Sequence, residues 1–209
     1  MSDITYDVYR DDGPLARGLG RAGSALPAVH VLVPVLAGVL PLAAVVAFAG
    51  PDLPVRALGA ALGWYVLCGG IASRLTTGTL SWLAPPVMRA AEYLVLLRIA
   101  TWAPDDAALP AAFALLSALT FHHYDGVYRL RHQRVAPPTW LTMVAGGWEL
   151  RLLAAYVAAV AGVVVQAYYV AAGAFALLFV TESVASWARF IASQRRASLV
   201  QSEDEEEDE

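Results

Sequence analysis

Six long apolar stretches, separated by short polar segments, make up most of the chain. A helix needs about 20 mostly apolar residues to cross roughly 30 Å of hydrocarbon, and helices satisfy their own backbone polar groups in lipid. The alternation typical of strands is absent. The pattern predicts an all-α fold, a polytopic membrane protein built as a bundle of six transmembrane helices. The stretches are Val29–Ala49, Ala57–Ser73, Ala84–Ala103, Ala107–Tyr124, Leu150–Ala167 and Tyr169–Ala192.

The placement of arginine predicts the orientation of these helices, because cytoplasmic loops of membrane proteins collect arginine and lysine. With six spans, one side of the membrane receives Arg10, Arg17, Arg21, Arg74, Arg129, Arg131, Arg134, Arg189, Arg195 and Arg196. The other side receives Asp52, Arg56, Asp105, Asp106 and a tight turn over residues 166–169. We therefore expect a multi-pass protein of the cytoplasmic (inner) membrane, with both termini in the cytoplasm.

Two alternatives to six spans remain open. The Ala-Phe-Ala sequence at 47–49 resembles a signal-peptidase site, although the apolar run before it exceeds the usual length of about 7–15 residues. The second alternative is that the third span does not cross the membrane. It contains Arg89, Glu92 and Arg98, and insertion of each charge at a helix centre costs about 2.5–3.5 kcal/mol. Pairing of Arg89 with Glu92, three residues apart, and the position of Arg98 near the span's end favour a crossing.

Composition agrees with a protein embedded in lipid. The chain is 58% hydrophobic and 15% charged, its basic residues are all arginine, and its formal net charge is -4. Seven of the 18 acidic residues occupy the last seven positions, so the remainder carries a net charge of +3. We expect membrane lipid and no nucleic acid as a partner. Cys68 is the only cysteine, which excludes an intrachain disulfide.

The division into segments follows from the spans: a cytoplasmic juxtamembrane segment over 1–28, a six-helix membrane domain over 29–192 and a disordered acidic cytoplasmic tail over 193–209. Pro14, preceded by Asp12, predicts the start of a short helix that anionic headgroups could hold through its arginines. A tethered juxtamembrane turn is the alternative. The run of acidic residues at the end of the tail predicts solvated chain.

Ionisable residues at membrane depth are costly and therefore mark candidate sites. In the six-span topology they gather near the cytoplasmic ends of the spans and can form one polar cavity. We expect this cavity to bind a lipid headgroup or a phosphate, whose geometry arginine matches bidentately. Charge pairs that only stabilise the bundle are the alternative. The candidate binding residues are Arg89, Glu92, Arg129, Arg131, Glu149, Arg151, Glu182 and Arg189.

An enzymatic site is the alternative interpretation of the same cavity. The candidate catalytic residues are His122, His123 and Asp125, with a histidine as acid or base. A divalent metal would then be the cofactor, because carboxylate oxygen and imidazole nitrogen suit Mg, Mn or Zn. Its candidate ligands are Glu92, His122, Asp125 and Glu182, although no diagnostic spacing such as HExxH occurs. The hypothesis is a membrane-embedded metal-dependent phosphotransferase or hydrolase that acts on a lipid headgroup.

Several strings together resemble a known family. They are YRDDGPLA at 9–16, PP at 85–86 with RAAEY at 89–93, FHHYD at 121–125 with VYRLR at 127–131, and GWE at 147–149 with Arg151. The chain resembles, over most of residues 9–190, an uncharacterised bacterial membrane domain family that often follows a CDP-alcohol phosphatidyltransferase domain in longer proteins. The family pattern usually has threonine where this chain has Gly126, which bears on helix continuity there. The resemblance implies a context of phospholipid or related lipid synthesis.

The phosphatidyltransferase signature itself, DxxDGxxAR followed by GxxxDxxxD, is incomplete. Asp12-Gly13 and Ala16-Arg17 fit its middle, but Tyr9 occupies the first aspartate position and no acidic residue follows Asp12 before position 52. Such carboxylates hold the metal ions that neutralise the pyrophosphate leaving group, so this fragment cannot support the reaction. We therefore expect a non-catalytic accessory module, and a separate CDP-alcohol phosphatidyltransferase chain as its catalytic partner.

Overall fold

The six apolar stretches of the sequence all overlap α-helices, so the predicted all-α class is confirmed. The computed structural model describes residues 9–48, 55–75 and 79–207, and in these ranges it has helices and no strand. Asp52 and the alanine at 49, which the predictions above invoke, lie outside the described residues. The helices are α1 (Pro14–Ala22), α2 (Leu32–Phe48), α3 (Val55–Ala72), α4 (Ala84–Trp102), α5 (Ala108–His132), α6 (Thr139–Val144), α7 (Gly147–Val160) and α8 (Val164–Glu207).

Some boundaries differ from the predicted ones. The turn expected at 166–169 lies earlier, between α7 and α8, where Gly162 adopts a left-handed φ of 71° that favours glycine. Helix α5 continues through Gly126 to His132, so helix continuity holds there despite the glycine. Helix α8 runs to Glu207, past the boundary at residue 192 that the hydropathy pattern predicts.

Among the described residues, three helical stretches are long and apolar enough to cross a membrane, namely Val55–Ala72, Thr139–Val160 and Val164–Arg196. The prediction of six such helices is therefore supported only in part. Helix α2 has 17 residues, and α4 and α5 carry the charged and imidazole side chains that the sequence assigns to a polar cavity. Membrane association is also consistent with exposed apolar side chains on the helices, such as Phe113, which is 75% exposed, and Val170, which is 71% exposed.

The helices pack as two close pairs, α2 with α3 and α5 with α8, and α4 contacts both pairs. The core between them contains large buried side chains such as Tyr65, Leu96, Leu119 and Trp148. Burial of such side chains contributes roughly 1.5–3 kcal/mol each where the alternative is exposure to water. This packing brings the polar ends of α4, α5, α7 and α8 to one end of the bundle.

Helix α1 begins at Pro14, as predicted, with the proline in the first turn. It packs against α3 and α7, and its Ala16 and Gly20 are buried. A Cβ atom added to Gly70 of α3 would lie 2.6 Å from the side chain of Leu19, so the two helices approach closely. The described part of the segment before the first apolar stretch, residues 9–28, is thus packed into the bundle through α1.

Candidate functional site

The chain before α1 meets the start of α7 through glycines. Gly147 has a left-handed φ of 61°, and a Cβ on either Gly13 or Gly147 would overlap the backbone of the other segment. Glu149 then completes the junction: its Oε2 accepts a hydrogen bond from Gly13 N at 3.2 Å and its Oε1 accepts one from Ala16 N at 3.0 Å. The buried carboxylate satisfies free N–H groups at the N-terminus of α1 and complements the helix dipole there.

Asp12 anchors the same segment to the core. Its Oδ2 pairs with Arg10 Nε at 2.9 Å, and its Oδ1 accepts a hydrogen bond from Trp148 Nε1, also at 2.9 Å. Arg10 Nη2 donates to the carbonyl oxygen of Gly69 in α3 at 2.9 Å. Because Arg10 and Asp12 are both buried, they enter the bundle as a neutral pair.

Asp11 lies at the centre of a buried ionic network. Its Oδ2 accepts a hydrogen bond from Arg151 Nη2 at 2.7 Å, and both His122 Nε2 and His123 Nε2 lie 3.4 Å from its carboxylate. Burial raises the pKa of the Asp11 carboxyl, but Arg151 and the two histidines lower it by more. The pKa therefore lies well below its usual range, and Asp11 is a carboxylate at neutral pH.

Glu92 pairs with Arg151, which corrects the expected pairing with Arg89. Arg151 Nε donates to Glu92 Oε1 at 2.7 Å, whereas Arg89 Nη2 donates to the main-chain oxygen of Tyr9 at 3.0 Å. Helical neighbours three residues apart can pair, but here a buried arginine on α7 offers Glu92 two donors at once. Arg151 thus bridges Asp11 and Glu92.

A second buried network joins α5 to α8. Arg129 Nη2 lies 2.5 Å from Asp125 Oδ2 and 2.5 Å from Glu182 Oε2. Ser183 Oγ donates to the other oxygen of Asp125 at 2.8 Å. Arg189, whose side chain is largely exposed, approaches Glu182 at 3.4 Å.

The structure therefore divides the sequence-predicted residues into groups. Glu92, His122, His123 and Arg151 share the network around Asp11, and Asp125, Arg129, Glu182 and Arg189 form the network between α5 and α8. Arg131 is exposed on α5 and belongs to neither network. The sequence interpretation missed Arg10, Asp11, Asp12 and Tyr93. Asp11 and Asp12 could have been identified from the sequence, because they are adjacent, precede a Gly-Pro pair and belong to a chain that has few acidic residues before its C-terminal run.

The three carboxylates among the predicted metal ligands pair with arginine, and the fourth predicted ligand, His122, lies against Asp11. Glu92 pairs with Arg151, and Asp125 and Glu182 share Arg129. In the part of the chain that the structure describes, no three histidine, cysteine, aspartate or glutamate side chains come together so as to hold a metal ion. The chemistry that the clusters offer is that of ion pairs and hydrogen bonds.

A cavity of about 240 Å³ opens beside the Asp11 network. Its polar wall includes Arg17, Arg89, His122, His123 and Thr142. Asp11 and Asp12 also line it, but their carboxylates pair with Arg151 and Arg10. Arg17 Nε donates to the main-chain oxygen of Asp12 at 2.8 Å, and Arg89 donates to that of Tyr9. Within the described ranges neither guanidinium lies within ion-pair distance of a carboxylate. The two positive charges on this wall are therefore not neutralised by direct pairing.

The fold and the site define a class: an all-helical protein with apolar helices of membrane-spanning length and a buried ionic network at one end. Comparison with family models makes the assignment more specific. The chain belongs to a family of unknown function, DUF5941, whose model matches residues 5–206. The expected membership of an uncharacterised family is thus confirmed. Comparison with curated proteins and with solved structures found no match.

Proposed function

We propose that this protein is an integral membrane accessory module that binds the phosphate of a lipid headgroup in the cavity lined by Arg17 and Arg89. The observation that carries the proposal is the pair of guanidinium groups on the cavity wall, each bonded to a neutral carbonyl oxygen and neither paired with a carboxylate of the described residues. A bound phosphate would pair directly with these two arginines, since arginine binds phosphate through charge-assisted hydrogen bonds.

Cavity size favours a small anionic group. At about 240 Å³ the cavity is smaller than the roughly 300–1,000 Å³ typical of pockets for drug-sized ligands. It accommodates a phosphate or a compact headgroup, and any acyl chains would remain outside. The hydroxyl groups of Thr139 and Thr142 on the same wall provide further donors.

The cellular context that we propose comes from the sequence resemblance: phospholipid or phospho-alcohol lipid synthesis in a bacterial inner membrane, with a separate CDP-alcohol phosphatidyltransferase chain as partner. We also propose that all six apolar helices cross the membrane and that both termini are cytoplasmic. The length of α5 supports a crossing, since its 25 residues extend for about 37 Å at 1.5 Å per residue. Its close packing along α8 adds to that support.

The test is binding of a soluble phosphate lipid. Full-length protein in mild detergent is titrated with dihexanoyl phosphatidic acid, and native mass spectrometry measures the bound fraction. Arg89→Gln removes one cavity charge and is expected to weaken binding roughly tenfold, about 1.4 kcal/mol. Arg131→Gln makes the same change at an exposed position outside the cavity and should bind like the wild type. A folded Arg89→Gln variant with unchanged affinity would contradict the proposal.

A catalytic role is the second candidate, because both imidazoles that contact Asp11 also line the cavity. Tyr93 Oη lies 2.8 Å from His123 Nδ1, so the ring is held from both sides. In the tautomer whose Nε2 proton faces the Asp11 carboxylate, Nδ1 accepts a hydrogen bond from the Tyr93 hydroxyl. A phosphotransferase or hydrolase of this kind would turn over a phosphate ester and lose that turnover in His123→Gln, whereas an accessory module shows none in either form.

A further inference from the structure

A second, more open groove lies between α1 and the end of α3. Its volume is about 440 Å³. Arg89 does not line this groove, so it is distinct from the cavity described above, although the two share Asp12 and Arg17. The lining residues are Asp12, Arg17, Gly20, Arg21, Ser24, Ser73 and Arg74.

The groove carries an excess of positive charge. Arg21 is exposed, and Arg74 Nη2 donates to two main-chain oxygens, those of Leu26 at 3.0 Å and Pro27 at 2.9 Å. Asp12 has the only carboxylate among the described residues that line the groove, and it is already paired with Arg10. Among the described residues, neither Arg21 nor Arg74 is within ion-pair distance of a carboxylate. The groove therefore matches an anion.

Its position relative to the helices points to a lipid anion. Arg74 follows the last residue of α3, a helix of membrane-spanning length, by two positions, which places it at the depth of lipid headgroups. The carbonyls that hold Arg74 belong to a segment that exposes apolar side chains, since Leu26 is 49% exposed and Val29 is 47% exposed. Arginine beside exposed apolar side chains suits a molecule with a phosphate and acyl chains.

Close packing holds the two sides of the groove in place. A Cβ on Gly20 would overlap the hydroxyl of Ser73, and Ser73 Oγ donates to the main-chain oxygen of Ala16 at 3.1 Å. Arg21 and Arg74 each follow one of these contact residues in the chain. The positions of the two backbones are therefore fixed before any ligand arrives, which reduces the entropic cost of binding.

We propose that this groove binds the phosphate group of an anionic membrane phospholipid through Arg21 and Arg74. The site is independent of the proposed function of the cavity, because it uses arginines that the cavity does not contain. It would fix the end of α3 and the N-terminal helix at the membrane surface. Arginine suits this role because its planar fork binds phosphate oxygens in pairs.

The test compares phospholipids that differ in net charge. Delipidated full-length protein in detergent is titrated separately with phosphatidylglycerol, phosphatidylcholine and inorganic phosphate, and native mass spectrometry measures binding. We expect the double variant Arg21→Gln/Arg74→Gln to bind phosphatidylglycerol roughly tenfold more weakly than the wild type. Arg56→Gln, an exposed arginine at the opposite end of α3, is the matched control and should bind normally.

Arg21→Gln alone keeps the proposal testable if the double variant fails to fold, because Arg21 is exposed and its loss should leave the fold intact while weakening binding several-fold. Unchanged phosphatidylglycerol affinity in a folded Arg21→Gln variant would overturn the proposal, as would equal affinity for phosphatidylcholine. Inorganic phosphate that binds as tightly as the lipid would assign the groove to a free anion instead. Loss of phosphatidylglycerol in Arg89→Gln, with normal binding in Arg21→Gln, would place the lipid in the cavity.

Discussion

Asp11 and Arg151 are 140 positions apart in the chain, yet Arg151 Nη2 donates to Asp11 Oδ2 at 2.7 Å inside the protein. This contact ties the segment before α1 to α7. Since Arg151 also pairs with Glu92 of α4, one guanidinium joins three parts of the chain. A buried ion pair adds little net stability, but removal of one partner leaves a buried charge uncompensated and is strongly destabilising.

Asp11→Asn should therefore destabilise the folded protein. The amide keeps the shape of the side chain but removes the charge that faces Arg151 and the two histidines, at a cost of about 3–5 kcal/mol for a broken buried pair, less whatever Glu92 still compensates. Thermal unfolding in dodecyl maltoside, followed by tryptophan fluorescence, measures the effect. Asp106→Asn, at an exposed position, is the control. Equal melting temperatures of the Asp11→Asn and Asp106→Asn variants would contradict the prediction.

The low pKa of Asp11 predicts a specific dependence of stability on pH. In the unfolded chain aspartate titrates near pH 3.9, and in the folded protein the pKa of Asp11 is well below that. As pH falls below about 4, the unfolded state binds the proton first, so the contribution of Asp11 is complete above this pH and declines below it. The difference in melting temperature between wild type and Asp11→Asn should shrink as the pH is lowered from about 4 to about 3. A difference that stays constant or grows would be inconsistent with a lowered pKa.

Local hydropathy is sufficient to locate α2, α3, α4, α5, α7 and α8, because a run of apolar residues bounded by Pro, Gly or charge indicates a helix by itself. It does not locate the short helix α6. Local sequence likewise predicts the start of α1 at Pro14. The sequence predicts the turn after α7 at 166–169, too late in the chain, because Gly162 lies within an apolar run and does not interrupt the hydropathy pattern. Hydropathy does not decide whether α4 and α5 cross the membrane. The free-energy cost of burying their polar side chains in lipid depends on partners elsewhere in the chain.

The pairing of side chains was much less predictable. Most residues of the candidate site can be identified from the sequence, because charges in apolar segments are rare. Their pairing depends on tertiary contacts. Glu92 pairs with Arg151, 59 positions away, and Arg89 donates a hydrogen bond to a main-chain oxygen instead. The network around Asp11 could not be deduced, since the segment that carries it lies outside every apolar stretch. By contrast, the pair Asp125 and Arg129 sits one helical turn apart on α5, as the sequence spacing indicates.

The loss of stability caused by replacing Arg129 should be partly reversed when the two carboxylates that it pairs with are also neutralised. Arg129→Leu leaves Asp125 and Glu182 buried without their common partner, and we expect a destabilisation of about 3–5 kcal/mol. Addition of Asp125→Asn and Glu182→Gln removes the two uncompensated charges, so the triple variant should unfold at a higher temperature than Arg129→Leu alone. The same thermal unfolding assay compares the three proteins. A triple variant less stable than the single one would show that the carboxylates have other stabilising partners.

Two glycines of α3 provide a matched test of helix packing. A Cβ at Gly69 would lie 2.6 Å from the ring of Trp148, which is buried and held by Asp12, whereas a Cβ at Gly63 would meet nothing within 4 Å. Gly69→Ala should cost about 1–3 kcal/mol through overpacking. Gly63→Ala should be neutral or slightly stabilising, because alanine favours the helix. Equal effects of the two substitutions on the melting temperature would mean that Trp148 can move aside.

The number of spans decides on which side of the membrane the two ends of the bundle lie. With six crossings, Ser24 and Ser193 face the same side and Asp106 faces the other. If only the three stretches named above as long and apolar enough cross, Ser24 and Ser193 face opposite sides. Cys68 is the only cysteine and is buried, so Cys68→Ala gives a cysteine-free background for single Ser24→Cys, Ser193→Cys and Asp106→Cys variants. Labelling of intact cells with a membrane-impermeant maleimide should modify only Asp106→Cys, and lysed cells should allow modification of all three.

Labelling of either Ser24→Cys or Ser193→Cys in intact cells would contradict the arrangement with both termini in the cytoplasm. Labelling of just one of these two would show that the number of crossings is odd.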